Sequence, residues 1–161
     1  MNLLNLKEQL LQYGEKIGLQ VDEETAESLT VHSQITAKKY FTNSVYLRFV
    51  IYKAGTIHLF LTFDVSERTY DTLYLINHFN DNNPWFRAYI TNIKNKDYLE
   101  LHYTAICLKD EQEVMSTFAY LMNDLLNEDT LKLLTPILNA ENMWKVKTWR
   151  RRRTTGIPYL R

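Results

Sequence analysis

The chain has 161 residues, 45% of them hydrophobic and 13% aromatic, with only four glycines and three prolines; this excludes a disordered or collagen-like polymer and fits one domain with a sizeable core. Residues 145–161, "KVKTWRRRRTTGIPYLR", hold seven of the 19 cations and no acid, which leaves 12 basic against 19 acidic residues, a charge of −7, on residues 1–144. A body of that sign excludes a body-wide grip on nucleic acid or acidic lipid, the lack of an apolar run of about 20 residues excludes a spanning helix, and the single cysteine, Cys107, excludes an internal disulfide.

The opening "MNLLNLKEQLLQYGEK" has no basic region before its leucines, so it does not read as a secretory leader, and a cytoplasmic setting is expected. Leu3, Leu6, Leu10, Tyr13 and Ile17, widened by Leu4 and Leu11, predict an amphipathic helix over about residues 2–17. Gly18 then supplies a left-handed stop, and Leu19 can fold back on the last turn. The acidic "VDEETAES" reads as a solvated connector.

The period then changes to two. "SLTVHSQIT" places Leu29, Val31 and Ile35 on one side. "SVYLRFVIYK" aligns Val45, Leu47, Phe49 and Ile51, and "TIHLFLTFDV" aligns Ile57, Leu59, Leu61, Phe63 and Val65. Residues 53–56 join these two strands as a hairpin, with Gly55 free to take a positive φ. The opposite faces carry Tyr46, Arg48 and Tyr52 on one strand and His58, Phe60, Thr62 and Asp64 on the other.

Ser66 can cap a helix running to about Asn80, with Tyr70, Leu73, Tyr74, Ile76 and Asn77 near one face. "NDNNP" ends it, because Pro84 disfavours a helical Asn83. "WFRAYITNI" and "YLELHYTAICL" predict two more strands, joined through residues 94–97. Asp110 with Glu113 forms a capping box for a helix through Val114, Phe118, Leu121, Met122, Leu125 and Leu126. A short helix from Thr130 follows, in which Pro136 needs a first turn or a kink. The fold class is therefore α+β: an antiparallel sheet of about five strands with helices on one face, in the order α-β-β-β-α-β-β-α-α. Residues 1–144 form one domain and residues 145–161 a basic C-terminal arm.

Reactive chemistry is hard to find. The glycines at 14, 18, 55 and 156 never cluster, so no phosphate-cradling loop is present. His32, His58, His78 and His102 make no helical HxxxH pair, and His102 lies an odd five residues from Cys107, which puts them on opposite faces of one strand. Cys107 alternates with Ala105, Tyr103 and Leu101 and reads as a buried, inert thiol. Asp64 and His58 share a face with Arg48, but their six-residue spacing, about 20 Å along a strand, keeps them from touching. No enzyme, cofactor or metal is expected. Aromatic strand faces can also stack nucleobases, yet such surfaces interleave many cations, and residues 45–65 offer only Arg48 and Lys53.

The middle of the chain, "LINHFNDNNPWFRAYI", followed by a hairpin and a long helix, resembles the YbjN-like bacterial proteins, which share the type III secretion chaperone fold. The resemblance covers about residues 1–140 by element order. Its N-x-x-N signature falls on Asn77 and Asn80, ahead of the strand from Phe86 to Ile90, while the arginine tail lies outside the pattern. It implies a small module, often a homodimer, that binds a protein partner in a chaperone-like or regulatory way, without cofactor.

The residues expected to meet that partner are Tyr46, Arg48, Phe60 and Trp85 on the body, with Trp149, Arg150, Arg151, Arg152, Arg153 and Tyr159 on the arm. The arm has three readings: a solvated extension, a strap docking on the acidic body or a dimer mate, or a contact for nucleic acid or acidic lipid. Nucleic-acid binding through the arm is the alternative function. It requires an affinity for random DNA or RNA that is measurable at about 50 mM salt and falls steeply as salt rises.

Overall fold

The computed structural model describes residues 1–35, 44–65 and 70–138. Ser66 and the arm residues Trp149 to Arg153 and Tyr159 lie outside the described residues. Within them, helix α1 (Leu3–Tyr13) leads to a 3-10 turn (Glu15–Ile17), then strands β1 (Gln20–Glu24), β2 (Ser28–Ile35), β3 (Val45–Tyr52) and β4 (Thr56–Asp64). Helix α2 (Tyr70–Asn82), strands β5 (Arg87–Ile93) and β6 (Lys96–Ala105), and helices α3 (Glu111–Leu125) and α4 (Glu128–Leu138) complete the order. The strands form one antiparallel sheet, β1-β2-β3-β4-β6-β5.

Alternation decides what faces what. Leu29, Val31, Val45, Leu47, Phe49, Ile51, Ile57, Leu59, Leu61, Phe63, Leu99 and Leu101 are all buried and share one core with the helices. Helix α1 packs on α3 and β2, while α2 packs on α4 and β5. The other sheet face therefore has no helix among the described residues to cover it. No helix there is long and apolar enough to cross a membrane.

Local chemistry accounts for the boundaries. Asn2 Oδ1 accepts hydrogen bonds from Leu4 N and Asn5 N and starts α1. The α-helical part stops at Tyr13, short of the predicted Ile17, because Leu19 folds over Gly14: a Cβ on Gly14 would meet that of Leu19 at 2.5 Å. The single 3-10 turn that follows ends at Gly18, whose φ is +67°. Asp110 Oδ1 accepts from Glu113 N, and Glu113 reaches back to Lys109 N, one residue before the expected partner. The hairpin joining β5 to β6 turns on Lys94 and Asn95, both at positive φ.

Four expectations need correcting. The acidic connector contains β1, whose five residues are all exposed and so carry no apolar alternation to read. Pairing creates this strand: Gln20 to Glu24 run against His32 to Leu29 with a bulge between Val21 and Glu23, and Thr25 closes the turn by accepting from Glu27 N and Ser28 N. The inward face of α2 is Thr72, Ile76 and Phe79, continuing to Asn83; Tyr74 is 67% exposed and Asn77 is exposed. Amphipathic tyrosine and asparagine mimicked an apolar stripe there, whereas Phe79 is what reaches the core. Cys107 is exposed, because β6 ends at Ala105 and the chain turns away through a positive φ of 64° at Cys107. Helix α4 begins at Glu128, two residues before Thr130, and Pro136 sits in its last turn, where the missing N–H deprives only the Lys132 carbonyl.

Candidate functional site

Two asparagines hold the seam between the helical layer and the sheet edge. Asn80 Nδ2 donates to Ala88 O at 2.9 Å and Ala88 N donates to Asn80 Oδ1 at 2.7 Å, so this amide pairs with β5 as a strand would. Asn83, buried, accepts from Trp85 N and Phe86 N around Pro84, which has no N–H to offer. The Arg87 guanidinium donates to the carbonyls of Asn80, Asn83 and Phe86 and so closes the end of α2. The two asparagines that make these bonds, Asn80 and Asn83, stand three residues apart, while Asn77 is exposed. Replacing Asn80 with alanine strands both backbone groups of Ala88 in a part-buried setting; a loss of about 1–2 kcal/mol in urea unfolding, with an unchanged m-value, is expected.

The two sheet edges are guarded. β1 exposes Asp22, Glu23 and Glu24 and carries its bulge. On β5, the Asn80 amide already occupies the outward-facing groups of Ala88. What remains available is the open face.

That face is built on register. His32 pairs with Arg48, Arg48 with Phe60, Phe60 with His102 and His102 with Arg87, one straight row across five strands. Diagonal neighbours fill in around it. His32 stacks on Tyr46 with centroids 5.9 Å apart. Phe60 lies flat on His102, 4.4 Å and 5° apart, and Tyr52 meets His58 edge-on at 6.1 Å. Arg48 stands exposed at the middle of the row, with no ion-pair or hydrogen-bond partner among the described residues.

Beside Phe60, His58 Nδ1 lies 3.1 Å from His102 Nε2, and the Thr104 hydroxyl touches both, at 3.1 Å and 3.0 Å. Burial, then the charge of His58, pushes the His102 imidazole below its ordinary range, while Glu100 pulls the other way. Glu100 in turn accepts a hydrogen bond from the Tyr89 hydroxyl, whose pKa is pushed up to about 12 by burial and by that carboxylate. His32 Nδ1 is buried without a hydrogen bond among the described residues, 3.9 Å from the Asp22 carboxylate.

The predicted residues divide accordingly. Tyr46, Arg48 and Phe60 come together on the open face, Tyr46 being 42% exposed. Trp85 does not join them: it precedes β5 and meets Tyr120 of α3 edge-on at 5.0 Å, on the helical side. Asp64 shares the face but is taken by Lys96 at 2.8 Å. Sequence reasoning puts Tyr52 and His58 on this face without counting them among the partner residues, and it misses the contribution of His32 and His102. Joining His58 to His102 requires β4 and β6 to be neighbours, and α2 and β5 intervene between them in the chain. Among the described residues, no three His, Cys, Asp or Glu side chains converge as a metal site would need.

No family model, no curated protein and no solved structure matches this chain.

Proposed function

We propose that this protein is a non-enzymatic polypeptide-binding module, chaperone-like or regulatory, that receives its partner on the open sheet face. The observation that carries the reading is the row His32–Arg48–Phe60–His102, aligned by strand register on the face opposite the helices. Flat aromatic and imidazole rings give a partner's side chains broad contact at little entropic cost, and a guanidinium without a partner among the described residues can grip a carboxylate or main-chain carbonyls. Arginine and aromatics are also the residues most often found at energetic centres of protein interfaces. The likeness of "LINHFNDNNPWFRAYI" to YbjN-like proteins supports the same class of role and adds a homodimer and a cytoplasmic setting to the proposal.

The non-enzymatic part is supported by the way the ionisable groups are used. His58 and His102 bind each other with the Thr104 hydroxyl against both, Asp64 binds Lys96, and Glu100 binds Tyr89, so these ionisable groups of the open face are engaged with one another.

A photo-crosslinking residue at position 46 or 60 is expected to capture one set of polypeptides in the native host. The same probe at exposed Tyr74, on α2, is expected not to capture it. Arg48→Glu should weaken that capture by about tenfold or more. Equal capture from position 74, or capture indifferent to Arg48→Glu, rejects the open face as the binding surface.

A further inference from the structure

The His58–His102 contact is an in-plane bond. The ring centroids are 5.4 Å apart and the planes differ by 17°, while the facing nitrogens are 3.1 Å apart. The centroid separation equals that nitrogen distance plus two ring radii, so Nδ1 of His58 and Nε2 of His102 point straight at each other. Such a pair holds one proton between its facing nitrogens, as N–H···N. Phe60 lies over His102 at 4.4 Å and beside His58 at 6.1 Å, each within 13° of parallel.

We propose that this imidazole pair is a proton-operated latch in the open face. From the neutral pair, a first added proton makes one ring an imidazolium that donates to the other, and the bond becomes charge-assisted and tighter. A second proton places N–H against N–H and two like charges side by side. The bond breaks, His102 swings off Phe60, and the flat aromatic platform beside Arg48 is lost. The latch thus switches the proposed partner surface off in acid.

The surroundings set the direction. Arg48 on β3 stands opposite Phe60, and Arg87 on β5 is paired with His102 but turns its guanidinium to the carbonyls at the end of α2, so burial and the charge of His58 are what oppose a proton on His102. Tyr52 of β3 packs against His58 with a neutral ring, and His32 of β2 lies beyond Arg48. Glu100, two residues before His102 on β6, favours protonation and gives the freed imidazolium a place to turn. Asp64, further along β4, is held by Lys96. The folded state lowers the His102 pKa below its ordinary range, so its stabilising contribution is complete above the pKa of an unfolded imidazole and is lost as pH falls through the folded pKa.

The test uses the full chain without a partner. Imidazole resonances of His58 and His102, with the ring resonances of Phe60, are followed by NMR between about pH 8 and about pH 4.5. Expected are two shared titration steps separated by more than about one pH unit, with the Phe60 ring moving only in the lower one. In His58→Gln, and independently in His102→Gln, the remaining imidazole should titrate in a single step and the Phe60 ring should no longer move at the lower pH. Independent single-step curves in the native chain, midpoints unchanged in both variants, or a Phe60 ring blind to the lower step, overturn the latch. The latch draws its use from the interaction face proposed above, but this measurement needs no partner. Failure of the titration removes the latch alone, and failure of crosslinking removes the face alone.

Discussion

Replacing Phe118 with alanine is expected to lower the unfolding free energy by about 3–5 kcal/mol, the largest loss of any single truncation proposed. Phe118 is fully buried on α3, and its ring stacks on Phe49 of β3 at 4.8 Å while Tyr13 of α1 meets it edge-on at 5.9 Å. One side chain therefore ties the central sheet to both helices above it. Truncation removes the transfer energy of the ring and leaves a cavity that three separate elements would have to close. The relief available is small, because Phe49 is itself fully buried on a paired strand. The measurement is urea or thermal unfolding, with a drop in the midpoint on the order of 10 °C or more. Phe118→Leu, which refills most of the volume, should recover more than half of the loss. A midpoint within a degree or two of the native chain would mean that α3 is not seated on β3 through this ring.

Phe118 was legible in the sequence because it stands on a helical stripe with Val114, Leu121 and Leu125, and all four are buried. The same logic found β3 and β4, where every second residue is apolar and inward. It failed where structure comes from a partner and not from a segment's own pattern. β1 is a strand because β2 offers it a ladder, and none of its side chains records that fact. Cys107 looked inward because alternation was carried past the point where the chain leaves the sheet, and that departure is enforced by contact with a distant hairpin. The face of α2 is hard to read because tyrosine and asparagine carry apparent apolar weight, although the residues at the seam, Asn80 of α2 and Asn83 just beyond it, work through their amides. At the candidate site, the individual members Tyr46, Arg48 and Phe60 could be named from strand faces. Their alignment with His32 and His102 could not, since it depends on which strands are neighbours across the sheet.

The distant hairpin just mentioned gives the second large expected effect. Gly55→Ala should destabilise the protein by about 1–3 kcal/mol from backbone conformation alone, since Gly55 has a φ of +89° that an L side chain rarely adopts. Steric overlap adds to that. A Cβ on Gly55 would lie 2.2 Å from the Leu108 carbonyl oxygen and 3.1 Å from the Leu108 nitrogen, and these are main-chain atoms that cannot rotate aside. The contact is also bonded, because Leu108 N donates to Gly55 O at 3.0 Å. Leu108 lies in the connector from β6 to the Asp110 cap of α3, so pushing it back disturbs the start of the helix that carries Phe118. The expected result is a lowered thermal midpoint together with faster amide exchange at Leu108 and in the first turn of α3. Ala54→Ser, at the exposed neighbouring position, is the control and should change neither. A Gly55→Ala protein with native stability and native exchange in α3 would show that the β3–β4 hairpin does not rest on this connector.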